Sequence, residues 1–132
     1  MSPLSVKSKD GVSLHMELHG LPVGAAPTLV MNDGIGCNGF IWKYLLPALQ
    51  DEFAIVRWHY RGHGQSGQAK DLQHYRIQDN IDDLQAILDA AKVESAVMLG
   101  HSMGVQVSLE SALSLTDRVN GLVLMCGSYG RP

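Results

Sequence analysis

The sequence predicts an α/β fold, an open and mostly parallel twisted sheet with helices on both faces. Three observations carry that prediction. Short, almost wholly apolar stretches recur at 28–32, 53–58, 95–100 and 121–126, the pattern of strands covered on both faces. Segments with helical periodicity lie between them, at 40–49, 77–91 and from Met103 to about Leu115. A strand hairpin precedes them all, turning at Asp10-Gly11. Strands alternating with helices after an initial hairpin wind into such a sheet.

In order along the chain, residues 4–8 and 12–19 flank the Asp10-Gly11 turn. Val12, Leu14, Met16 and Leu18 alternate with Ser13, His15, Glu17 and His19, so this strand is half-buried, with His15 and His19 expected on a solvated face. Residues 20–27 read as a loop. Thr28-Leu29-Val30-Met31-Asn32 is a buried strand running into a glycine-rich turn, 33–39, with exposed backbone amides. Helix 40–49 places Phe40, Leu45, Leu46 and Leu49 on one side, and Pro47 marks a kink or restart. Strand 53–58 leads into the loop 60–67. In 77–91, Ile77, Ile81, Leu84, Leu88 and Ala91 recur at spacings of four and three, an amphipathic helix with Asp79, Asp82 and Asp83 in its first turns and Lys92 at its end.

The densest signal is Val97-Met98-Leu99-Gly100-His101-Ser102-Met103-Gly104, an apolar strand ending in Gly-x-Ser-x-Gly with a helix directly after it. In that context the motif is a nucleophile elbow. The turn is tight enough to project the Ser102 hydroxyl above the sheet, and Gly100 and Gly104 leave room for the neighbouring helix and strand. The helix start aims backbone N–H groups at any negative charge developing beside the serine.

Composition narrows the alternatives. The chain has 132 residues with a net charge of -3. Its mass is 14.3 kDa, its pI about 6.0 and its mean hydropathy +0.01. One domain is expected, with no attraction to nucleic acid or to an anionic membrane. Cys37 and Cys126 have no metal-ligand spacing and are expected to be reduced structural thiols, no metal being called for. Residues 1–7 lack the apolar segment of a secretory signal, and no apolar run approaches membrane-spanning length, so a soluble cytoplasmic protein is expected.

Three blocks together resemble the N-terminal half of an α/β-hydrolase-fold protein: the glycine-rich turn after the third strand, Arg61-Gly62-His63-Gly64-Gln65-Ser66 after the fourth, and Gly100-His101-Ser102-Met103-Gly104 after the fifth. The resemblance implies that Ser102 is the nucleophile and that the N–H groups of Met103 and Ile35 form the oxyanion hole. It implies hydrolysis of an ester, thioester or amide carbonyl of a small acyl substrate, with no cofactor. Serine rather than aspartate at the elbow turns the expectation away from dehalogenase or epoxide hydrolase chemistry.

Two departures stand out. Asp33-Gly34 occupies the place where the family usually has His-Gly, and His59 the place where it usually has Asp. A buried Asp33–His59 hydrogen-bonded pair bracing the oxyanion turn is therefore expected. The family's chain order is serine, then acid, then histidine, yet only Glu110 and Asp117 follow Ser102 as acids, and all six histidines precede it. The chain thus reads as residues 1–132 of one domain truncated after its sixth strand, with the acid and histidine of the triad expected beyond Pro132 and little activity in this piece alone. Strand 121–126 would then be an unpaired edge, inviting self-association. The competing reading is a non-enzymatic half-domain that binds an acyl-type ligand or a partner chain through that edge. A dinucleotide site at Gly34, Gly36 and Gly39 is disfavoured, since no acidic residue sits about twenty residues on at a strand end.

Overall fold

The computed structural model describes residues 2–36 and 39–128. Strand β1 (Ser2–Lys7) pairs antiparallel with β2 (Ser13–Gly20), and β2 pairs antiparallel with β4 (Ala54–Trp58). From there the sheet is parallel, through β3 (Thr28–Asn32), β5 (Ala96–His101) and β6 (Val119–Met125), in the order β1-β2-β4-β3-β5-β6. The central strand β3 is buried at every position. The predicted open, mostly parallel sheet is what forms.

Each central strand feeds two cores. Val30, Val56 and Met98 face helices α2 (Ile77–Ala90) and α3 (Met103–Ser114), packing with Leu84, Ile87, Leu88 and Val107. Leu29, Met31, Ile55 and Leu99 face the other way, against Trp42 and the short helix α1 (Leu45–Leu49). Continuous apolar runs are what such two-faced burial requires. Pro47 lies in the first turn of α1, where its missing N–H costs no intrahelical bond.

The structure corrects the sequence in four places here. Helix 40–49 is a 3-10 turn at Phe40–Trp42 followed by α1, and Phe40 is largely exposed while Trp42 is the buried aromatic. The indole N–H of Trp42 donates to Asp33 Oδ1, which draws that ring inward. His15 and His19 are not solvated: their side chains are only 11% and 10% exposed, and each donates to or accepts from one oxygen of Glu17, at 2.7 and 2.9 Å. Asp83, expected among the acids of the first turns, lies on the buried side of α2, and Asp79 closes a capping box on the Arg76 N–H. Cys126 is exposed in a left-handed conformation, φ 54°, so it is not a core thiol; Cys37 lies outside the described residues.

The loop after β4 is anchored by charge. Arg61 is 2% exposed and binds both oxygens of Asp83 on α2, at 2.7 Å each, while Asp10 from the β1–β2 turn accepts two further bonds from it. Hydrogen bonds to Asp83 raise the arginine's already high pKa further against the penalty of burial. Strand β6 closes the described sheet at its edge, with Leu122, Val123 and Leu124 between 38% and 47% exposed on alternating faces. No helix among the described residues is long and apolar enough to cross a membrane.

Candidate functional site around Ser102

Ser102 sits between β5 and α3 with φ 56° and ψ −116°. A side-chain-bearing residue is held in that region only where its surroundings over-determine it, at a cost of about 1–3 kcal/mol. Neighbouring backbone supplies those contacts. The Ser102 N–H donates to Met125 O on β6 at 3.1 Å, and its carbonyl accepts from Val105 N at 3.0 Å. A Cβ on Gly100 would lie 2.3 Å from Gly104 O and 2.7 Å from Ser108 Oγ. A Cβ on Gly104 would lie 2.0 Å from Asn32 O. Both glycines are therefore demanded by backbone contact, as the sequence predicts. Replacing Ser102 with glycine is expected to raise stability by about 1 kcal/mol, read by chemical denaturation, because the strained dihedral is then unhindered.

Met103 opens α3, where an N–H has no preceding intrahelical acceptor. Gly34 closes the opposite side: a Cβ there would lie 3.3 Å from Ser102 Cβ and 3.4 Å from His101 Nδ1. Ile35 follows in the turn with its side chain 71% exposed. The ends of β3 and β5 thus bring Gly34, Ile35, Ser102 and Met103 to one rim of the sheet. His101 packs against Gly34, and its Nδ1 is buried with no hydrogen-bond partner. Among the described residues, no side chain hydrogen-bonds the Ser102 hydroxyl.

Asp33 and His59 do not brace each other. Asp33 Oδ1 accepts from Trp42 while Oδ2 has no partner, and the Asp33 carbonyl accepts from the Tyr60 hydroxyl at 2.6 Å. His59 instead accepts from Gln65 N at Nδ1, 3.0 Å, and stacks on His15 at a ring separation of 4.6 Å. His59, just after β4, turns toward β2 and its own loop, which is why the exchanged residue types do not meet.

His15, Glu17 and His59 offer donor atoms within 4.8 Å of one another. Their protonation pattern does not suit a cation. The Gln65 N–H on His59 Nδ1 leaves the ring proton on Nε2, whereas a metal-bound imidazole turns its bare nitrogen to the ion and donates outward. Arg57 already supplies positive charge 3.4 Å from Glu17 Oε1. Burial opposes ionisation of Glu17, but hydrogen bonds from His15 and His19 and the charge on Arg57 bring its pKa down to about 2. The group is a hydrogen-bonded charge network on the β2–β4 face.

One polar network under Ser102 is not visible in the motif. Asn32, the last residue of β3, accepts from Trp58 Nε1 at 2.9 Å and donates to Ser108 Oγ at 3.0 Å. It ties β3, β4 and α3 together. An asparagine closing an otherwise apolar strand is the signal that points to it.

Residues 27–131 match the sequence profile of the alpha/beta hydrolase fold. The chain belongs to the α/β-hydrolase fold family. Among its relatives, a putative carbamate hydrolase RutD of Caulobacter vibrioides is 31% identical over 133 residues, covering 100% of this chain and 48% of that protein. A hydrolase from Pseudomonas aeruginosa PA01 superposes with a TM-score of 0.90 at 31% identity, over 99% of this chain and 48% of that one. The enol-lactonase from Burkholderia xenovorans LB400 gives 0.83 at 28% identity, over 90% and 45%. The chain spans about half the length of the α/β-hydrolase relatives it matches.

Proposed function

We propose that this chain is the nucleophile-bearing half of a serine hydrolase acting on an ester, thioester or amide carbonyl. The observation that carries the reading is the positive φ of Ser102 at the junction of β5 and α3. Strain held by surrounding contacts at a strand–helix turn is what an elbow needs to present a hydroxyl to substrate. Ser102 Oγ attacks the carbonyl carbon, and the oxygen that gains the negative charge is received by the N–H groups of Met103 and Ile35. Two such donors, fixed in advance, lower the barrier by several kcal/mol. A base for the serine proton is expected from the half of the relatives' length that this chain does not span. The names of the relatives, a carbamate hydrolase, an enol-lactonase and carboxylesterases, are consistent with acyl chemistry at this position.

The test is a fluorophosphonate applied to the protein as its source cell makes it, followed by tryptic mapping. An adduct on the peptide 93–118, absent after Ser102→Ala, supports the reading; no adduct on that peptide overturns it.

The exposed apolar edge favours a second property, self-association of this chain through β6. Among the described residues β6 pairs only with β5, so its outer N–H and C=O groups, beside Leu122, Val123 and Leu124, form a template for another strand. The weight-average mass in sedimentation is expected to rise with concentration from 14.3 kDa toward twice that value. Val123→Lys is expected to hold it at the monomer; a wild-type chain that stays monomeric throughout refutes the association.

A further inference from the structure

The residue next to Gly34 is a buried acid that the proposed chemistry has not used. Asp33 is 2% exposed, and its backbone carbonyl is fixed by the Tyr60 hydroxyl. Its carboxyl reaches across the turn, where Oδ1 accepts from the Trp42 indole. The turn that carries Ile35 is therefore tied at both ends to one residue. Oδ2 is buried with no partner at all. A bare carboxylate oxygen buried there without a partner is costly, and a neutral carboxylic acid avoids most of that cost.

The groups that face Asp33 come from several elements. Arg57 on β4 sets its guanidinium against Gly39, whose added Cβ would lie 1.8 Å from Nη2. His63 lies in the loop after β4 and packs edge-on to Tyr60, and His101 on β5 packs against Gly34. Burial pushes the Asp33 pKa up, and it prevails over the opposing hydrogen bonds from Trp42 and Gly39 and the charges of Arg57 and His63.

The charge state bears on the site. On the hydrolase reading an oxyanion forms at the Ile35 and Met103 amides, the first of them two residues along the chain from Asp33. A carboxylate there would repel it, and a neutral acid does not. We propose that Asp33 is the positioning residue of the turn bearing the Ile35 amide, and that it works as a neutral acid. One carboxyl oxygen ties the turn to β3 through Trp42, and the absence of charge leaves the turn's N–H groups to an oxyanion. This rests on the hydrolase reading of Ser102.

The sign of the pH dependence follows. A carboxyl whose pKa is raised on folding stabilises the native state below its ordinary value of 3.8, and that contribution is lost as pH rises through the folded value. The turn therefore loosens on the alkaline side of Asp33, not the acid side.

Tryptophan emission tests this from about pH 4 to about pH 9. Trp42 and Trp58 are the two tryptophans, and Trp58 donates to Asn32, which does not titrate. Wild type is expected to show an emission step centred above the ordinary carboxylate range. Asp33→Asn, which keeps an acceptor for Trp42 and cannot ionise, is expected to show none and to retain the low-pH spectrum. Identical titrations in the two proteins, or no step in wild type, overturn the proposal.

Fluorophosphonate labelling of Ser102 in the source protein gives the second readout. Wild type is expected to lose labelling rate through the same pH step while Asp33→Asn does not, and Asp33→Ala is expected to label roughly 10²-fold more slowly than Asp33→Asn. Equal rates for Asn and Ala variants overturn the positioning role while leaving the hydrolase reading intact. No labelling of any variant overturns the hydrolase reading and the oxyanion part of the proposal with it.

Discussion

Gly104→Ala is expected to destabilise the chain by about 3 kcal/mol or more, the upper end of what overpacking a core costs. The added Cβ would meet Asn32 O at 2.0 Å and Asp33 O at 2.9 Å. These are backbone atoms at the end of the central strand, and they cannot swing aside as a side-chain tip can. Relief requires α3 to lift off β3, which breaks the Asn32–Ser108 bond and carries Met103 away from Gly34. Gly121→Ala is the control. Its Cβ would meet only Val97 methyls, at 3.7 and 3.9 Å, so that variant is expected to be neutral or more stable by up to about 1 kcal/mol. Urea unfolding of both variants decides the matter; similar losses at the two sites would show that contact with β3 is not what Gly104 serves.

Arg61→Met is expected to cost about 3–5 kcal/mol, the penalty for leaving a buried carboxylate without its partner. Asp83 is 1% exposed at its side chain and takes two bonds from Arg61, so removing the guanidinium strands it in the core. Arg61→Met combined with Asp83→Leu is expected to recover most of the loss, since an apolar pair of similar size leaves no orphaned charge. Asp10→Ala is expected to cost less than about 1 kcal/mol, its side chain being 38% exposed. A double variant as unstable as the single one would mean that the ion pair, not the stranded acid, holds the 60–67 loop to α2. Coupling is read from the cycle of unfolding free energies.

Local signals in the sequence carried the fold because they are physically local. Val30, Val56 and Met98 announce strands covered on both faces through their own runs, and Gly100 and Gly104 announce a turn crowded by backbone. Polar pairs between distant segments leave no such trace. Arg61 meets Asp83 across 22 positions and Asp10 across 51, and nothing in the Arg-Gly-His-Gly run names either acid. Alternation assigned His15 and His19 to one face correctly but could not tell a solvated face from one where a shared glutamate keeps both rings down. The Asp33–His59 pair failed for a related reason: neighbouring strand ends are close, but the Trp42 indole reached Asp33 first, and a lone tryptophan ahead of the short helix α1 gives no periodic signal.

The Ser102 amide is bonded to the carbonyl of Met125, and Gly127 beyond it lies so close that a Cβ there would fall 2.8 Å from Ser102 O. The backbone of Ser102 is thus strapped to the last residue of β6. A change at that end of the strand reaches the serine through one hydrogen bond, so the dihedral strain at Ser102 and the seating of β6 are set together.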